Sequence, residues 1–308
     1  MRDLTVILGP TASGKTELGC HLALELDAEI ISADSRQIYR GMDIGTGKDI
    51  EEYTINGVEI QYHLIDIHEA GYFYNIAEYQ LDFHKAFNEI QEKGKSAILC
   101  GGSGLYIETA LEGNKYLGIE PDADRKKELE NLDETDLNKL MALVPESIKK
   151  DLNALTKARK IRAILISEHI IQHKDWQPRS FEPFNYKIIG VKIDRDLRRK
   201  KISARLSHRL NNGMIEEAER LLDNGVTHEQ MSIYGLEYKW LSQYLQKTIS
   251  KKELFDGLNT AIHQFSKRQM TWFRRMEKKG YRINWVNADQ SIEEKTAICK
   301  AFVQNTNR

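Results

Sequence analysis

Residues 9 to 16 read Gly9-Pro10-Thr11-Ala12-Ser13-Gly14-Lys15-Thr16 and follow directly on the apolar run Leu4 to Leu8. An alanine- and leucine-rich stretch comes next, so the word sits at a strand end and opens a helix. Backbone N–H groups in such a loop can wrap a diphosphate, because glycine lets the main chain approach closely and the helix dipole adds partial positive charge. The run Gly9 to Thr16 is therefore a candidate diphosphate- or nucleotide-binding loop, with Lys15 on the terminal phosphates and the Thr16 hydroxyl on Mg²⁺. The loop names phosphate but not the reaction, and kinase, NTPase and other phosphate chemistry stay open.

A second cluster, Ser32-Ala33-Asp34-Ser35-Arg36-Gln37-Ile38-Tyr39, stands at the end of the next apolar run. Ligands of open α/β sheets bind at that edge, so Asp34 is expected to face the phosphate loop, as a general base, as a water-mediated metal ligand or as a plain helix cap. Met42 to Lys48 adds two glycines and a lysine, a loop expected near anions or in solvent. A third cluster, Cys100-Gly101-Gly102-Ser103-Gly104-Leu105-Tyr106, repeats the strand, glycine turn and helix start. Its glycines admit another backbone or a flat ligand, and the Ser103 hydroxyl is either an N-cap or a substrate contact.

Positioning these clusters requires a sheet. The apolar runs Leu4 to Leu8, Glu29 to Ala33, His63 to Ile67, Ala97 to Cys100 and Lys187 to Ile193 alternate with longer segments of helical period. That rhythm predicts an α/β fold, a parallel sheet with flanking helices. From 114 to 184 the chain turns polar and helix-forming, with helices expected at Asp122 to Leu132, Thr135 to Leu143 and Ala154 to His173, then a loop with Pro178 and Pro183. This reads as a helical insertion between core segments 1–113 and 185–308. Further helices are expected over Arg195 to Asn224 and Leu254 to Lys279.

With 308 residues, 41% of them hydrophobic, the chain can bury a sizeable core. Its three widely spaced cysteines suit neither a disulfide framework nor a zinc site. No apolar run approaches a membrane span and Met1 leads into the first strand, so a cytoplasmic protein is expected. Net charge is −1, so a nucleic-acid partner would have to be held by local patches. Such a patch exists: Lys267, Arg274 and Lys278 fall at helical spacing, with Arg268, Arg275 and Lys279 beside them.

Taken together, the words GPTASGKT (9–16), ADSRQIYRGMDIGTGK (33–48), HLIDI (63–67), GGSGLYIETALEG (101–113) and FSKRQMTWFR (265–274) resemble the tRNA dimethylallyltransferase, or tRNA isopentenyltransferase, family. The resemblance implies a P-loop NTPase-like fold whose helical insertion grips the anticodon stem-loop. It implies transfer of a dimethylallyl group from dimethylallyl diphosphate to the exocyclic amine of the adenine 3′ of the anticodon, with Mg²⁺ and with no obligate protein partner. Asp34 would be the base, Ser103 and Arg209 would assist, and Arg205 would be a lesser candidate beside Arg209. Asp34, Ser35, Arg36, Gln37 and Ser103 would surround the target nucleotide. Arg125, Arg159, Arg162, Lys267, Arg268 and Arg274 would hold the rest of the tRNA. Ser103 stands where family members usually have threonine. The word Ser232 to Lys239 departs from the family's glycine-tyrosine pair and is given no catalytic part. The competing classes are an ATP-dependent small-molecule phosphotransferase, a prenyltransferase acting on free adenine nucleotides, and a GTPase-like switch, whose Asn-Lys-x-Asp word is not found.

Overall fold

The computed structural model describes residues 3–113, 115–120, 122–177 and 180–305, so Met1, Arg2 and Pro178 lie outside the described residues. In chain order it contains β1 (Asp3–Leu8), α1 (Lys15–Leu26), β2 (Ala28–Ser32), a 3-10 turn (Ile50–Tyr53), β3 (Thr54–Ile55), β4 (Val58–Glu59), β5 (Tyr62–His63), α2 (Ile76–Glu92), β6 (Ser96–Gly101) and α3 (Gly104–Glu112). Then come α4 (Ala123–Asn131), α5 (Glu134–Leu143), α6 (Glu146–Asp151) and α7 (Lys157–Gln172). The chain continues through β7 (Asn185–Lys192), α8 (Arg195–Asn211), α9 (Met214–Asp223), α10 (His228–Ile233), α11 (Leu236–Leu245), α12 (Lys251–Lys278), β8 (Ile283–Asn287) and α13 (Ile292–Gln304).

A six-stranded parallel sheet runs in the order β5-β2-β6-β1-β7-β8, and β3 and β4 form a separate antiparallel hairpin. Side chains alternate across its faces as strand geometry demands. Leu4, Val6, Leu8, Ala97 and Leu99 face a cluster with Phe83, Phe87 and Phe273, while Ile7, Ile98 and Cys100 join Leu18 and Leu22 of α1 on the other side. With both faces covered, the central strands read as continuous apolar runs, which is what made them visible. A third cluster joins α8, α9, α11 and α12 through Ile202, Leu206, Leu221, Leu241, Leu258 and Ile262.

The expected strand over His63 to Ile67 stops at His63, because Leu64 and Asp66 take left-handed φ of 62° and 54° that no strand accommodates. Strand β8 escaped the reading of the chain; it is a short partly exposed run paired to β7 alone.

The chain divides into two compact units: one runs to Gly113 and resumes at Pro183, and the other is the segment between. The intervening unit packs α4 to α7 around Leu129, Leu137, Ile161 and Ile164. Among the described residues no helix is long and apolar enough to cross a membrane.

Candidate active site

Strand order decides what can meet. Because β2, β6 and β1 are neighbours, the loops leaving their carboxyl ends lie side by side at about 5 Å per strand, which aligns Asp34, Ser103 and the phosphate loop. Gly14 caps α1 with a left-handed φ of 77°, which glycine adopts without a Cβ penalty, and so aims the loop at the helix N-terminus. Lys15, Thr16 and Asp34 line one polar cavity with Arg36, Arg205 and Arg209. A second, more apolar cavity adjoins it and is lined by Ser103, Leu105, Phe265 and Trp272; Asp34, Arg36, Phe265 and Gln269 line both.

Asp34 Oδ1 accepts the Arg36 backbone N–H at 3.0 Å, a local turn that orients the carboxylate. Ser103 is the N-cap of α3, yet its side chain makes no capping bond and lines the apolar cavity. Gln37 is held by Ser32 Oγ, which donates to its Oε1 at 2.7 Å, and donates in turn to Gly47 O at 3.2 Å. Arg36 pairs with Glu237 at 3.3 Å and lies 5.1 Å over the Phe265 ring. Glu237 belongs to the word given no catalytic part, so that segment does build the site wall.

Of the two arginine candidates on α8, Arg209 is paired with Asp49 at 2.7 Å. Arg205 donates to the Thr11 hydroxyl in the phosphate loop and has no ion-pair partner among the described residues. Burial, together with the neighbouring Arg209 charge, lowers the Arg205 guanidinium to about 10, which leaves it charged at neutral pH. A desolvated, unpaired cation beside the phosphate loop is a ready partner for an anion. Burial also pushes the nearby Glu52 carboxyl up to about 7, helped by Asp49 and Glu17.

Lys48 is fully buried and serves the fold: its ammonium donates to Tyr39 O and Asp43, both at 2.6 Å, and to Asp66. The anions expected near this loop are therefore the protein's own carboxylates. Glu217 finishes the lock by accepting the backbone N–H groups of Asp43, Ile44 and Gly45 at 2.8, 2.7 and 2.9 Å. The close approach foreseen at Gly101 and Gly104 is likewise internal, since a Cβ there would strike the Ala33 backbone and the Trp272 ring.

Gln269 of α12 is the residue that sequence reasoning missed most clearly. It is buried, accepts the Thr11 N–H at 2.9 Å and donates to Gly102 O at 2.9 Å, so it ties the phosphate loop to the Ser103 turn. The signal was present as a polar residue in the buried helical series Ile262, Ser266, Gln269, Phe273, Met276. Gln269→Leu keeps the size but strands one part-buried donor and one buried acceptor. It is expected to cost about 1–3 kcal/mol per stranded group in urea unfolding; no loss would mean that other groups satisfy the two loops.

The basic stripe sits on the outer side of α12. Lys267, Arg274 and Lys278 are exposed, have no ion-pair partner among the described residues and line a groove with Arg268 and Trp272, which also line the apolar cavity. Arg275 and Lys279 are committed to buried Glu108 at 2.7 and 2.8 Å. Phe273 is core; Trp272 donates to Glu108 at 2.7 Å under the Arg275 guanidinium.

In the intervening unit, Arg125 forks onto Glu168 at 2.8 Å and Glu128 at 2.9 Å, which hold its guanidinium above the usual range. Arg162 donates to Ile119 O at 2.9 Å and Arg159 to Asn153 O at 3.4 Å.

The family model described as IPP transferase matches residues 37–276. The chain belongs to the IPP transferase family. Relatives of this IPP transferase include the tRNA dimethylallyltransferase 2 of Bacteroides fragilis, 50% identical over 97% of each chain, and the tRNA dimethylallyltransferase 1 of Parabacteroides distasonis, 47% identical over 98% of each. Among solved structures, the full-length tRNA isopentenylpyrophosphate transferase of Bacillus halodurans superposes with a TM-score of 0.72 at 30% identity, covering 98% of this chain and 96% of that one. A eukaryotic dimethylallyltransferase acting on tRNA shares the fold at a TM-score of 0.78 and 20% identity, covering 100% of this chain and 81% of its own.

Proposed function

We propose that this IPP transferase moves the dimethylallyl group of dimethylallyl diphosphate onto the exocyclic amine of the adenine 3′ of a tRNA anticodon, releasing diphosphate. One observation carries the reading: a basic groove adjoins an apolar cavity, which adjoins a cationic phosphate cavity, and Asp34 lies where the two cavities meet.

The amine nitrogen attacks C1 of the donor, a C–N bond forms as the C1–O bond breaks, and diphosphate leaves with the electron pair. Asp34 takes the proton that the nitrogen sheds, which matters because an aryl amine is a poor nucleophile. Charge growing on the leaving group meets the loop amides, Lys15, Arg205 and Arg209. Ser103 is placed to hold the base or the reacting end of the donor. The Thr16 hydroxyl and the Asp34 carboxylate supply hard oxygen donors to the phosphate cavity. That set fits Mg²⁺, which commonly takes one or two protein oxygens beside phosphate and water. When bound, the ion supplies charge neutralisation of the diphosphate.

The target base must leave its stack to reach Asp34, at a cost of about a few kcal/mol. Ser35, Arg36 and Gln37 then stand beside it. Lys267, Arg268 and Arg274 offer phosphate contacts along the groove. In the insertion, Arg125, Arg159 and Arg162 are the proposed contacts, Arg125 the weakest because carboxylates already neutralise it.

Two measurements test the reading. Diphosphate release from dimethylallyl diphosphate is expected only when an anticodon stem-loop is added; free adenosine monophosphate serving equally well, or ATP turnover without RNA, would overturn it. Replacing Lys267, Arg274 and Lys278 together by alanine is expected to weaken stem-loop binding and to flatten its salt dependence by about one unit per lost phosphate contact. An unchanged slope would make the stripe a solvated helix face.

A further inference from the structure

We infer that Phe265 is the residue that limits the length of the prenyl chain this enzyme accepts, an inference that rests on the proposed prenyl transfer. Four side chains line both cavities: Asp34, Arg36, Phe265 and Gln269. Gln269 is consumed by Thr11 and Gly102, Arg36 by Glu237, and Asp34 is the proton acceptor. Phe265 is therefore the apolar one of the four, with Ile262 offering further apolar surface in the phosphate cavity alone among the described residues.

A donor whose diphosphate lies at Lys15 places C1 at that junction, and its hydrocarbon tail must find apolar cover there. Leu105 and Trp272 also offer apolar surface, but they belong to the cavity that the incoming base must occupy. The ring has little freedom to yield, because the Arg36 guanidinium lies 5.1 Å and that of Arg268 5.9 Å from its centroid. Arg36 is anchored in turn by Glu237. A five-carbon tail fits against such a fixed wall, whereas a ten-carbon tail needs the volume that the ring fills. Apolar pockets of this kind discriminate by about 10–200-fold per methylene-sized misfit.

The test is a competition between dimethylallyl and geranyl diphosphate on an anticodon stem-loop, comparing the intact protein with Phe265→Ala and Phe265→Leu. The ratio of kcat/KM for the longer over the shorter donor is expected to rise by about 10-fold or more in Phe265→Ala and less in Phe265→Leu. Should Phe265→Ala fail to fold, Phe265→Leu decides alone. Folded variants that transfer dimethylallyl groups at the original donor ratio would overturn the inference. Intact protein that transfers neither prenyl group would instead overturn the reaction beneath it.

Discussion

Asp34→Asn is expected to lower turnover by about 10²-fold or more while tRNA affinity stays close to that of the unaltered protein. Asparagine keeps the oxygen that accepts the Arg36 N–H, so the turn after β2 survives and the side chain stays in place. On the proposed mechanism, what is lost is the ability to take a proton from the attacking amine. Single-turnover transfer at saturating donor separates the two effects: the chemical step slows and the binding isotherm does not move. Turnover equal to that of the unaltered protein would remove Asp34 from the mechanism and return it to the role of a loop-shaping residue.

Lys15→Ala is expected to reduce kcat/KM for the prenyl donor by about 10²-fold or more, in line with the loss of one preorganised charge on a developing anion. Lys15 lines the phosphate cavity and has no ion-pair partner among the described residues, which on the proposed reading leaves its charge to the diphosphate. Removing Mg²⁺ with excess chelator is expected to abolish transfer and to restore it when the ion is returned. Full activity under chelation would sink the metal assignment and leave Lys15, Arg205 and Arg209 to neutralise the leaving group alone.

How much of this was legible in the chain depends on how local each cause is. The loop Gly9 to Thr16 and the strands that carry the site declare themselves through glycine spacing and apolar runs. Both are properties of contiguous residues. Lys48 could not be understood that way, since Asp43 and Asp66 reach it from different turns and bury a charge that local composition leaves in solvent. Glu237 is 201 positions from Arg36 and Gln269 is 258 from Thr11, so their partnerships exist only once the sheet has brought β1, β2 and the helices together. The broken strand after His63 failed for the opposite reason. Its apolar pattern was strand-like, but Asp66 left the extended conformation and reached Lys48.

Nucleoside mass analysis of unmodified tRNA after incubation with the protein, dimethylallyl diphosphate and Mg²⁺ reads the proposed transfer itself. Adenosine carrying one dimethylallyl group at the position 3′ of the anticodon is expected, formed in step with released diphosphate. Adenosine left unmodified there, or a prenyl group appearing on free nucleotide instead, would contradict it.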